Sequence, residues 1–141
     1  MPAFAPEGPR GPQERLSSRR VLIAEDDHLV SVEIEAALLD AGFEVTGVAI
    51  SVEEAIEHAR RQIPDLVVMD IRLVGDGDGV DAALELFREH GIRCLFATAH
   101  IDSAMRRRAE PARPLGWIAK PYDPRLLVKA VERAFHALER E

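Results

Sequence analysis

The chain has 141 residues, enough for one domain and too few for two ordinary ones. Its 47% hydrophobic content excludes wholesale disorder, and no stretch approaches the roughly 18 apolar residues that a membrane span requires. The net charge of −7 is unevenly placed: residues 1–20 hold four arginines against two glutamates, so the remainder carries −9 and is a poor match for nucleic-acid phosphates.

Residues 1–18 are rich in proline, glycine and arginine and show no apolar periodicity, so they read as a flexible tail. They also lack the apolar core of a secretory signal. From residue 19 onward strand and helix signals alternate. Val21–Ala24 is a short, wholly apolar run, the pattern of a parallel strand covered on both faces, and it stops at Glu25-Asp26-Asp27. Val30, Ile34, Ala37, Leu38 and Ala41 recur at helical spacing, with Asp27 as cap and Gly42 as terminator. Residues 43–50 read as a second strand. Ser51 and Glu54 form the ends of a capping box that opens a second helix, closed before Pro64.

Leu66–Met69 is another buried strand and delivers Asp70 at its end. A Gly/Asp-rich loop over residues 75–79 follows, then a helix with Val80, Ala83, Leu84 and Phe87 inward. It resembles a calcium loop only superficially, with Asp81 where glycine and Phe87 where glutamate would be needed. Residues 92–97 make a fourth strand ending at Thr98, which buries the lone cysteine, Cys94, as a small hydrophobe. With one cysteine no intrachain disulfide forms, and a reducing cytoplasm is the expected setting. A short helix over 102–109 carries the basic run Arg106-Arg107-Arg108, read as a solvated face, and Pro111 and Pro114 prevent its extension. Residues 115–119 form a fifth strand running into Lys120-Pro121. Asp123 as cap and Pro124 at the first helical position open the last helix, whose buried side is assigned to Leu126, Leu127, Val131, Ala134, Phe135 and Leu138.

Five βα units in succession imply an α/β fold with a parallel sheet and helices on both faces, and ligands in such sheets bind beyond the carboxyl ends of the strands. Glu25-Asp26, Asp70, Thr98 and Lys120 all stand at such ends. Carboxylates gathered that closely repel one another unless a cation neutralises them, and hard oxygen donors on one side of a crevice suit Mg²⁺, with Mn²⁺ as an alternative. Asp70 follows a central strand and is the candidate nucleophile, forming an aspartyl-phosphate. Lys120 is one of only two lysines among eighteen basic residues, and a compact ammonium suits a phosphoryl oxygen.

The run Val21–Asp27, then Met69-Asp70-Ile71-Arg72-Leu73, Ala97-Thr98-Ala99 and Ala119-Lys120-Pro121, resembles the receiver domain of two-component response regulators. The spacing agrees as well, with 44 residues from Asp26 to Asp70 and 22 from Thr98 to Lys120. The resemblance covers about residues 19–140 and implies a flavodoxin-like (βα)₅ receiver domain over 19–141, a doubly wound five-stranded parallel sheet of order 2-1-3-4-5. It further implies Asp70 as phospho-acceptor, and Asp26, Asp70 and the Arg72 backbone carbonyl as metal ligands with Glu25 acting through water. Thr98 is then the hydroxyl that turns toward the phosphoryl group, Ala99 the small residue that leaves it room, and Lys120 the phosphoryl-binding lysine before a cis bond to Pro121. Trp117 stands where the family places a switch aromatic, and His100 at the crevice mouth is assigned to phosphoryl access.

The implied partners are a sensor histidine kinase or histidine phosphotransfer protein and a downstream protein target, with no nucleic acid and no membrane. The face made by the fourth helix, fifth strand and last helix is the expected signalling surface and a candidate homodimer surface. A stand-alone, cytoplasmic signalling switch is expected, not a turnover enzyme. Three features depart from the commonest pattern: the loop after Asp70 has Val74 in place of a proline and Gly79 one residue late, Pro111 and Pro114 make the fourth-helix part of the signalling face short or irregular, and Ala99-His100 replaces the Gly-Tyr of a Phe-Ala-Thr subgroup. Two rivals remain. A haloacid-dehalogenase-like phosphatase wants a second acid where Arg72 stands, and a phosphorylation-independent pseudo-receiver would lack the acids or the lysine that are present here.

Overall fold

The computed structural model describes residues 19–141, and the expected tail over 1–18 lies outside the described residues. The elements are β1 (Arg20–Ala24), α1 (His28–Asp40), β2 (Glu44–Ala49), α2 (Val52–Arg61), β3 (Leu66–Met69), α3 (Gly79–His90), β4 (Arg93–Thr98), α4 (Ser103–Ala109), β5 (Gly116–Ala119) and α5 (Pro124–Glu139). The five strands form one parallel sheet in the order β2-β1-β3-β4-β5, the expected doubly wound arrangement.

Alternation along the strands builds two cores. In β1, Val21 and Ile23 face one side with Ile34 and Leu38 of α1 and Leu127, Val131 and Phe135 of α5. Leu22 and Ala24 face the other, with residues of α2 and α3 and with Ala109 at the end of α4. The central strands are covered on both faces, which is why they read as unbroken apolar runs instead of alternating ones. Among the described residues no helix is long and apolar enough to cross a membrane.

Several boundaries differ from expectation for identifiable reasons. The second strand is trimmed to Glu44–Ala49, and Phe43 instead stacks on Phe135 at 5.5 Å between ring centroids. Edge strand β2 carries a register shift opposite Val21/Leu22, where Val45 pairs with Val21 and Gly47 with Leu22. Ser51 caps α2 by accepting the Glu54 N–H at 3.0 Å, but Glu54 reaches back to the N–H of Ile50, not to that of Ser51. After α4 the chain continues as a 3-10 turn, Glu110–Ala112, in which Pro111 occupies an early position that needs no donor. Leu126, assigned above to the buried side of the last helix, is 54% exposed: Leu127 next to it takes the inward position. Val74, lacking a proline ring, donates its N–H to the Ile50 carbonyl at 2.9 Å and ties the loop after β3 to the end of β2.

Candidate functional site

The ladder of parallel hydrogen bonds runs one residue past the strand ends and aims the polar groups. Glu25 N–H donates to Ala49 O at 2.8 Å, Asp70 N–H to Ala24 O at 2.9 Å, and Lys120 N–H to Thr98 O at 2.8 Å. The backbone atoms of β1, β3, β4 and β5 therefore fix the starting points of the four side chains at a single rim. The Lys120–Pro121 peptide is cis.

At that rim Lys120 Nζ donates to Glu25 Oε1 at 2.6 Å and to Asp70 Oδ2 at 2.9 Å. Glu25 Oε2 accepts the Asp27 N–H at 3.0 Å, and Asp70 Oδ1 accepts the Arg72 N–H at 3.3 Å. Glu25 is only 2% exposed and Asp70 7%. Burial pushes the Glu25 carboxyl above the ordinary carboxylate range, against the opposing pull of Lys120 and the Asp27 N–H. Burial also disfavours the Lys120 ammonium, but its bonds to Glu25 and Asp70 outweigh that and hold it above its ordinary value. One carboxylate oxygen from each of Glu25, Asp26 and Asp70 lies within 4.8 Å of the others, with Asp26 exposed.

These groups line an open cavity of about 620 Å³. Buried Thr98 forms part of its wall, and Arg72, Ala99 and His100 stand around it. Trp117 does not line it. Its ring stacks on Phe96 at 4.5 Å, and the Arg106 guanidinium lies over it at 5.2 Å from the centroid.

The expectations missed two things here. One is the direct Glu25–Lys120 ion pair, which a water-mediated metal role for Glu25 does not foresee. The other is the dispersal of the arginine run: Arg106 covers Trp117, while Arg108 binds Asp78 and Asp81 at the start of α3 with bonds of 2.7 to 3.0 Å. The spacing of Asp78 and Asp81 at a helix start is the signal that could have revealed the latter, since the two form a reciprocal capping box.

Comparison with known proteins agrees with this geometry. The model of the response regulator receiver domain matches residues 21–132. The chain belongs to this family. The transcriptional regulatory protein PdtaR of Mycobacterium tuberculosis (strain ATCC 25618 / H37Rv) is 34% identical over 127 residues, covering 90% of this chain and 62% of PdtaR. The chain thus spans less than two thirds of that relative's length. The chemotaxis protein CheY of Thermotoga maritima is 30% identical over 116 residues, which is 82% of this chain and 96% of CheY. Among solved structures, the signal receiver domain of a modulated diguanylate cyclase from Desulfovibrio desulfuricans G20 superposes with a TM-score of 0.78 at 33% identity, covering 86% of this chain and 96% of that one. Receiver domains are phospho-accepting modules of two-component signalling and not themselves turnover enzymes, and this receiver carries an acidic pocket of the kind in which the family binds Mg²⁺.

Proposed function

We propose that this receiver accepts a phosphoryl group on Asp70 from a sensor histidine kinase or a histidine phosphotransfer protein, and that the modification alters its α4–β5–α5 face for a downstream protein. The observation that carries the reading is the Asp70 carboxylate held by Lys120 at 2.9 Å on the wall of an open cavity, beside the Glu25–Asp26 acid pair. In the transfer a carboxylate oxygen of Asp70 forms the bond to phosphorus. The phosphorus–nitrogen bond of the donor breaks, and the donor imidazole leaves with the electron pair. Lys120, already an ammonium between two carboxylates, compensates charge on a phosphoryl oxygen. The Thr98 hydroxyl donates to a second oxygen, and Ala99 leaves it room.

The three clustered carboxylates are hard oxygen donors and fit Mg²⁺, or Mn²⁺. Asp26, Asp70 and the Arg72 carbonyl would hold the ion, with Glu25 acting through water. When bound, the ion offsets the negative charge that the carboxylates and the phosphoryl oxygens would otherwise concentrate. His100 at the cavity mouth controls water access and hence the lifetime of the acyl phosphate. Movement of Thr98 toward the phosphoryl group frees space beside β4 into which Trp117 turns, a population shift biased by the phosphoryl contacts. The reducing cytoplasm is the matching compartment, with Cys94 buried and its thiol pushed up to about 12 by burial.

The test is intact-mass measurement after incubation with a small acyl phosphate and Mg²⁺. The protein gains one phosphoryl group and Asp70→Asn gains none. Stoichiometric labelling of Asp70→Asn would overturn the assignment, absence of labelling in the unsubstituted protein would mark a pseudo-receiver, and many turnovers would mark a phosphatase.

A further inference from the structure

Helix α4 is short and its apolar anchor is thin. Ala109 and, in the turn that follows, Ala112 are buried in the core, and Met105 packs against it. Alanine side chains remove little area from water, so polar bonds weigh more in fixing this helix than in fixing its longer neighbours. Arg108 supplies them. Its Nη1 donates to Asp78 Oδ2 at 2.9 Å, and its Nη2 to Asp78 Oδ1 at 2.7 Å and to Asp81 Oδ1 at 3.0 Å. A forked guanidinium on one carboxylate fixes direction as well as distance.

Asp78 is in turn fastened to the backbone that carries Asp70. The next residue, Gly79, donates its N–H to Ile71 O at 2.7 Å and lies so close to the Asp70 carbonyl that no side chain fits between them. Asp78 Oδ1 also accepts the N–H groups of Val80 and Asp81, and Asp81 Oδ2 accepts the Asp78 N–H at 2.9 Å. The loop is tied a second time where the Val74 N–H donates to Ile50 O at 2.9 Å. Between the two ties Gly75 and Gly77 take φ of +85° and +82°, and glycine backbone offers little stiffness of its own. The Arg72 carbonyl, proposed above as a metal ligand, lies on this loop.

We propose that Arg108 is a positioning residue for phosphoryl transfer: from α4 it clamps Asp78 and so holds the 70–79 loop in the register that offers the Asp70 carboxylate and the Arg72 carbonyl to the ion. This rests on the reading of Asp70 as a metal-assisted phospho-acceptor. The route runs through the cap of α3 and is separate from the movement of Thr98 and Trp117. It joins the placement of α4 to ion affinity in a single equilibrium. By reciprocity, a partner that draws α4 away from Asp78 lowers ion affinity by the same factor by which the ion opposes that partner.

Calorimetric titration of Mg²⁺ into the full chain tests this, with acyl-phosphate labelling rates measured over the same Mg²⁺ series. Electrostatics alone predicts the opposite sign: removing a cation near an acidic cavity favours binding of another cation, whereas loss of the clamp disfavours it. The dissociation constant should rise about three- to tenfold in Arg108→Ala. The labelling rate at saturating Mg²⁺ should stay within about twofold. Arg108→Lys keeps the charge but not the fork, and should fall between the two proteins. Hydrogen exchange without metal supplies an ion-free readout: relative to the amides of β3, the Gly79 amide should exchange about tenfold faster in Arg108→Ala. Circular dichroism checks the fold, and Arg108→Lys carries the comparison if Arg108→Ala unfolds. Mg²⁺ affinity unchanged or raised in the variants, or a Gly79 amide that keeps its relative protection, would overturn the clamp. An unsubstituted protein that neither binds Mg²⁺ nor labels would overturn the reading beneath it, and the clamp with it.

Discussion

At the scale of single residues, Gly79 is as consequential as the charged groups. A Cβ built there would lie 2.0 Å from the Asp70 carbonyl oxygen and 3.0 Å from the Ile71 Cα, so backbone that carries Asp70 would have to move. Gly47 is also tight, but its Cβ would meet Nδ1 of His58 at 2.6 Å, the end of a side chain that can rotate away. We therefore expect Gly79→Ala to cost about 1–3 kcal/mol and to slow acyl-phosphate labelling, and Gly47→Ala to cost under about 1 kcal/mol without affecting labelling. Urea unfolding and the labelling time course compare them, and equal costs would contradict the argument. The sequence shows Gly79 as an offset from the family pattern, but the reason lies in a contact between backbones that no spacing reveals. The strand-end acids and Thr98 were legible because each ends a buried apolar run, and Lys120 because it follows the short apolar edge strand β5 and precedes a proline. The Glu25–Lys120 ion pair was not, since it depends on which way two flexible side chains turn within one rim.

Among elements, β1, β3 and β4 were legible because burial on both faces leaves an unmistakable run, and the helix starts because Asp27, Ser51 and Asp123 carry the capping oxygens. Edge strand β2 was read too long, and its register shift went unseen, because one uncovered edge imposes a weaker pattern. The junction of α3 with α4 was also hidden. Asp78 caps α3 through the N–H groups of Val80 and Asp81 and at the same time accepts two bonds from Arg108 of α4. Burial would raise its carboxyl, but the Arg108 guanidinium and the backbone donors outweigh that and hold it below its ordinary 3.8. A depressed folded-state value means that the contribution is present above the ordinary value and lost as pH falls through the folded one. Asp78→Ala should thus cost about 1–2 kcal/mol at neutral pH from the lost cap and pair. Arg108→Ala should cost less, about 0.5–1 kcal/mol, because that side chain is half exposed and screened. The Asp78→Ala deficit should shrink once the pH drops below about 4. Unfolding curves at several pH values check this, and a deficit unchanged in acid would show that the carboxylate charge contributes nothing.

For the molecule as a whole, gathering three acids at one rim opposes stability to the extent that Lys120 leaves their charge uncompensated. Folding brings one oxygen from each of Glu25, Asp26 and Asp70 within 4.8 Å of the others, and Lys120 alone bonds to two of those acids. Removing the exposed member relieves repulsion without opening a cavity in either core. In chelator, Asp26→Ala should therefore melt at or a few degrees above the unsubstituted protein, a gain of about 1 kcal/mol or less after solvent screening. With Mg²⁺ the order should invert. An ion that binds only the folded state at about ten times its dissociation constant adds about 1.4 kcal/mol, or roughly 3–6 °C for a domain of this size. Asp26→Ala, lacking a carboxylate proposed to ligate the ion directly, should gain little of this. Thermal unfolding of both proteins in chelator and over a Mg²⁺ series reads the crossing directly. If the unsubstituted protein ignores Mg²⁺, the acid cluster does not hold the ion. If both proteins gain equally, the ion binds somewhere that does not involve Asp26.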